Sequence, residues 1–117
     1  MHPEQDVIVT LSEQGVSCAH PGGSIEFVGW DELRAVIIQT TSEGPFLPDV
    51  FWVLVGERGG CVVPQGATGE RELFERLQRL QDFDNDAVLS AMRCTENRRF
   101  LCWQKTTLSE YPPLELR

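Results

Sequence analysis

The sequence predicts an α+β domain in which a curved antiparallel sheet of about six to seven strands is packed by two helices of the C-terminal half. Three observations predict it. Short β-branched runs separated by Gly- and Pro-rich turns fill residues 7–63, helical periodicity starts only at Glu70, and one further apolar run, Arg98–Gln104, closes the pattern. At 117 residues the chain has the size of one domain, and such a chain buries about two-thirds of its unfolded surface. Residues 1–105 form that domain and residues 106–117 an extended tail.

The elements follow in order. Val7–Leu11 opens a period-two pattern, and Glu13-Gln14-Gly15 turns it into Val16–Ala19, giving a first hairpin. After the turn His20-Pro21-Gly22-Gly23 comes a third strand, in which Ile25 and Phe27 alternate against Glu26 and Val28. Asp31-Glu32-Leu33 is long enough for one turn, with Asp31 as its cap. Ala35–Thr41 is apolar on both faces, which predicts a central, covered strand. Gly44, Pro45 and Pro48 make Ser42–Asp49 a loop into Val50–Val55, and Gly56–Gly60 returns the chain into Cys61–Val63.

From Glu70 to Leu80 the spacing of Leu73, Phe74, Leu77 and Leu80 is helical. Thr68 or Gly69 caps this helix, and Glu70 and Glu72 complement its dipole. A second helix spans Asn85 to about Met92, with Asp84 as N-cap and Phe83 set to pack on Val88 as a hydrophobic staple. Trp30, Trp52, Trp103, Phe27, Phe51 and Phe100 all fall on strands or their ends, where aromatic rings by default fill the core.

Charge and composition narrow the function. Eighteen acidic against ten basic side chains give a net charge of −8, a field that repels nucleic acid and anionic lipid surfaces and attracts basic proteins. The first residues lack the charge and apolar stretch of a secretory signal, and the longest apolar run, Val50–Val55, is far short of a membrane span. The expected location is therefore the cytoplasm, with Cys18, Cys61, Cys94 and Cys102 reduced.

Four patterns resemble sites, and each lacks a part. Asp82, Asp84 and Asp86 alternate like the start of a calcium loop, but Ala87 stands where the turn glycine belongs and Arg93 where the bidentate glutamate belongs. Gly66-Ala67-Thr68-Gly69 precedes a helix without the lysine of a phosphate loop. Cys18 and His20 offer a thiolate and an imidazole, yet zinc needs further ligands and a nucleophile needs an orienting group. Arg98 and Arg99 form a solvated strand end able to meet a partner's carboxylate. No catalytic, cofactor or metal set is expected. In the tail, Leu108, Tyr111, Leu114 and Leu116 place apolar groups that would dock on this chain, a second copy or another protein.

The segments Val28–Val36, Phe83–Asp86 and Arg99–Trp103 resemble a group of small uncharacterised bacterial proteins. The hydrophobic-Trp-Asp-Glu-Leu step between two strands is also similar to bacterial members of the pleckstrin-homology-like superfold. That resemblance implies a curved sheet of about seven strands closed by a helix, from which this chain departs by a second helix and a last strand. It implies no lipid-headgroup site, since the first hairpin loop, Ser12-Glu13-Gln14, is acidic rather than basic.

The expected function is a non-enzymatic interaction module that presents an acidic face to a basic protein partner, for instance an immunity-type protein against a basic toxin, with Arg98, Arg99, Tyr111 and Leu114 as contact residues. A homodimer is the other partner it allows. The alternatives are a thiol-dependent enzyme or redox protein using Cys18 with His20, and a small-ligand-binding domain.

Overall fold

The computed structural model describes residues 7–42 and 50–105. Its strands are β1 (Ile8–Leu11), β2 (Gly15–Ala19), β3 (Ile25–Gly29), β4 (Leu33–Thr40), β5 (Val50–Gly56), β6 (Gly60–Pro64) and β7 (Arg98–Gln104), with helices α1 (Glu70–Leu77) and α2 (Asn85–Arg93) between the last two. The fold is α+β with seven antiparallel strands and two helices, but the strands divide between two sheets where the sequence predicts one. One sheet has the order β1-β2-β3, the other β6-β5-β4-β7. The break falls at a single 3-10 turn, Trp30–Glu32, which redirects the chain after Gly29 so that β4 pairs with β5 and β7 instead of β3. Gly29, not Asp31, holds the cap position of that turn, without a side-chain bond.

The two sheets bury one face each in a common core. Val9, Val16, Cys18 and Val28 come from the first; Val36, Ile38, Trp52, Leu54, Cys61, Val63 and Cys102 come from the second. Leu73 and Leu77 of α1 and Val88 and Ala91 of α2 complete it, as the spacing of those helices requires. Asp84 caps α2 by accepting from the Ala87 amide at 3.0 Å, and Phe83 and Val88 are buried in the same core, in agreement with the sequence reading.

Two features of the sheets set where side chains point. β4 is an interior strand, as expected, and among the described residues its two faces differ: Val36, Ile38 and Thr40 are buried while Ile37 and Gln39 are partly exposed and line a shallow depression. In the β4–β7 ladder, Val36 opposes Trp103 and the next residue, Ile37, opposes Leu101. This bulge adds one residue to β7, so Cys102 is buried and Trp103 packs against the core from the same side, its indole donating to the Gln81 carbonyl at 2.9 Å.

The start of α1 shows how the sheets and helices are joined. Gly69 has φ +90 and its Cα lies against the first strand; a Cβ there would stand 2.3 Å from the Val9 carbonyl oxygen. Thr68 bridges Ile8, with the Val9 amide donating to the Thr68 carbonyl and the Thr68 amide to the Val7 carbonyl. Gly69 is thus the N-cap without a side-chain cap. The first-turn carboxylate, Glu70, accepts from the buried Trp52 indole at 2.8 Å and from the Gly66 amide at 2.7 Å, a role beyond the dipole complement that its position predicts.

Candidate functional site

Cys18 faces the core from the centre of the three-stranded sheet, and Glu26 is its directly opposed partner on β3. Opposed residues of an antiparallel pair project to the same side, so Glu26 points inward with Val28. The sequence reading places Ile25 and Phe27 on the packed face of β3. The structure reverses that register: Ile25 is 70% exposed, Phe27 is 52% exposed, and the carboxylate takes the inward position.

His20 joins them through the turn that follows β2. Its amide donates to the Ser24 carbonyl, and the Gly23 amide donates back to the His20 carbonyl, a closure that uses Gly23 at φ +99. The ring nitrogen Nε2 then lies 2.8 Å from Glu26 Oε1. The ligand atoms of Cys18, His20 and Glu26 all lie within 4.8 Å of one another, and among the described residues this is the one grouping of three or more Cys, His, Asp or Glu side chains close enough to share an ion. Glu26 is the third group that the sequence reading does not supply to Cys18 and His20. The hairpin turn and its register were the signals that place it there.

The cluster is tied to the second sheet by the backbone of Val62 on β6. The Val62 amide donates to Glu26 Oε1 at 2.9 Å, and the Cys18 thiol donates to the Val62 carbonyl at 3.8 Å. β6 ends its sheet, so these are groups no neighbouring strand pairs. The Cys61 thiol, also on β6, donates back to the Val16 carbonyl at 3.9 Å. Burial first, and the Glu26 carboxylate second, push the Cys18 thiol up to about 11. Burial likewise pushes Cys61 up to about 12 and Cys102 up to about 11. A nucleophilic thiol at neutral pH needs the reverse shift, so burial opposes the thiol chemistry expected of Cys18 with His20.

A second surface lies on the side of the four-stranded sheet away from the described core. Ile37, Phe51, Val53, Val55 and Val62 line a shallow depression of about 200 Å³, edged by Gln39 and Arg99. Leu101, opposed to Ile37, is half exposed beside it. Phe51, which the sequence reading assigns to the core, belongs to this outer face, while Trp52 next to it is buried. Arg99 is held flat on the sheet by donating from Nε to Gln39 Oε1 at 2.8 Å, whereas Arg98 reaches Glu96 at 3.1 Å. Of the four residues expected to contact a partner, Arg99 lies on this face and Arg98 is the first residue of β7, opposed to Thr40; Tyr111 and Leu114 fall outside the described residues.

The other patterns resolve into local structure. Asp84 is a helix cap and Asp82 a positive-φ turn residue, so the three aspartates do not form a calcium loop. No described helix is long and apolar enough to cross a membrane. Comparison of the chain with protein-family models, with curated proteins and with solved structures finds no match.

Proposed function

We propose that this protein is a non-enzymatic interaction module whose binding surface is the outer face of the β6-β5-β4-β7 sheet. The observation that carries the reading is the depression of Ile37, Phe51, Val53, Val55 and Val62 around Gln39 and Arg99, all of them strand residues. Contiguous apolar surface rimmed by polar groups is the usual mark of a protein-binding site. An Arg side chain already fixed by a neighbour loses little freedom on contact, which favours it as an anchor.

The occupant is a basic protein that contributes an apolar anchor. The net charge of −8 steers such a partner toward the chain, and the apolar face supplies the burial that holds it. This divides the work differently from an acidic contact face: charge acts on the encounter and apolar burial on the lifetime of the complex. Immunity-type neutralisation of a basic toxin is one form of this activity.

Capture from the source cell with the wild-type chain and with Val53→Glu tests it. A discrete basic protein bound by the wild type and lost by the folded variant supports the reading. Equal capture by both overturns it, as does a wild-type dimer that Val53→Glu converts to a monomer, which would make the face an interface between copies.

A further inference from the structure

We propose that Cys18, His20 and Glu26 form a zinc site with a solvent-facing fourth position. Thiolate, imidazole and carboxylate are the three ligand types zinc accepts, and a mixed sulfur, nitrogen and oxygen set favours zinc over calcium or magnesium. Zinc bonds of about 2.0–2.3 Å place tetrahedral ligand atoms roughly 3.3–3.7 Å apart. Here the atoms lie within 4.8 Å of one another and His20 Nε2 is 2.8 Å from Glu26 Oε1, so side-chain shifts of about 1 Å admit the ion without moving the strands.

Three features of the fold favour this assignment over a plain hydrogen-bonded pair. The first is the choice made on β3, where Ile25 and Phe27 stand exposed so that a carboxylate can face inward. A charged side chain turned toward the core at the expense of two large apolar ones is the kind of local conflict that concentrates at functional or strained sites. The second is support from behind: the Val62 amide fixes Glu26 Oε1, the kind of outer hydrogen bond that orients metal-binding carboxylates. The third is access. The His20 and Glu26 side chains are 22% and 35% exposed, which leaves an entry path and room for a water molecule as fourth ligand, while Cys18 closes the site from the core side.

Binding transfers the Cys18 thiol proton to solvent as the zinc–sulfur bond forms. The same carboxylate that opposes thiolate formation in the free chain becomes a co-ligand, and the dication reverses its effect. The Cys18 bond to the Val62 carbonyl is given up with the proton, and the Val62 amide bond to Glu26 then ties the three-stranded sheet, through the ion, to the edge of the four-stranded one. The site lies apart from the proposed binding depression except at Val62, and it stands or falls independently of the interaction reading.

Cobalt(II) titration of the reduced full chain tests the proposal, since cobalt reports sulfur ligation by charge-transfer absorption and tetrahedral geometry by intense visible bands. The expected result is one equivalent bound, displaced by zinc, with zinc raising the melting temperature of the wild type. Glu26→Gln, His20→Ala and Cys18→Ser should each weaken binding at least tenfold, because loss of even an outer partner weakens metal sites by about 10–100-fold. Circular dichroism of each metal-free variant confirms folding, and Cys18→Ala replaces Cys18→Ser if the latter unfolds. Absence of a sulfur-to-cobalt band at stoichiometric metal overturns the proposal, as does binding that survives all the substitutions.

Discussion

Glu70→Ala is a substitution at a partly exposed position from which the structure predicts a large loss. The carboxylate accepts from Trp52 Nε1 at 2.8 Å, and the Trp52 side chain is 1% exposed. Removing the acceptor strands a buried N–H, which costs about 1–3 kcal/mol. The Gly66 amide loses its partner near solvent, a smaller effect, and the first turn of α1 loses a dipole-complementing charge that contributes roughly 0.3–1 kcal/mol. The expected destabilisation is therefore about 2–3 kcal/mol. A 117-residue domain has an unfolding entropy near 0.25 kcal/mol/K, which translates this into a fall in Tm of about 8–12 °C. Urea unfolding followed by tryptophan emission and by far-ultraviolet circular dichroism measures it. Glu70→Gln keeps the acceptor and should recover more than half of the loss. A Glu70→Ala variant within 0.5 kcal/mol of wild type, about the scatter of neutral surface changes, would refute the reasoning, and so would a Glu70→Gln variant as unstable as Glu70→Ala.

Gly69→Ala should lower stability by at least about 2 kcal/mol, because a side chain there must hold φ +90 and meet the Val9 carbonyl at 2.3 Å; thermal unfolding checks it, and a neutral result would show that the α1 start can move off β1. In a thiol-reagent titration at pH 7.5, half-exposed Cys94 should react first, and Cys18, Cys61 and Cys102 only on unfolding. The same three thiols set an alkaline limit. Their folded-state pKa values of about 11 to 12 lie above the ordinary thiol value of 9.0, so the unfolded chain ionises first: their contribution is complete below pH 9 and is lost as pH rises toward 11. Denaturant midpoints that stay flat from pH 8.5 to 10.5 would contradict this.

Much of the chain's local structure was legible before any fold was known. The start of α1 at Glu70 and the Asp84 cap of α2 follow from interactions within one turn, and the structure reproduces both. The seven strands were likewise visible, because β-branched runs between Gly and Pro turns carry their own boundaries. What failed were statements about faces. The Ile25-Glu26-Phe27-Val28 run alternates equally well with either set inward, and local sequence contains nothing to choose between them. The choice is made by β6, whose unpaired Val62 amide and carbonyl offer partners to Glu26 and Cys18. Trp103 does pack against the core, as expected, but it is carried there by a one-residue bulge in β7 that no propensity marks.

The candidate site shows the same division. Cys18 and His20 stand out in the sequence as a pair, and the turn between β2 and β3 fixes their hairpin. That Glu26 completes the group follows from the β2–β3 register, which opposes it to Cys18; that the group faces the second sheet does not. The apolar content of β4 and β5 was equally plain, and it predicts cover on both faces; the described helices pack on one face only, so the other is left as a depression around Arg99. The sequence by itself determined the α+β class, the order and approximate positions of the elements and the acidic charge, since these rest on propensities, caps and composition acting over a few residues. Only the tertiary structure decided the split into two sheets, the inward turn of Glu26 and the open sheet face, because each depends on what a neighbouring strand, distant along the chain, leaves unpaired or uncovered.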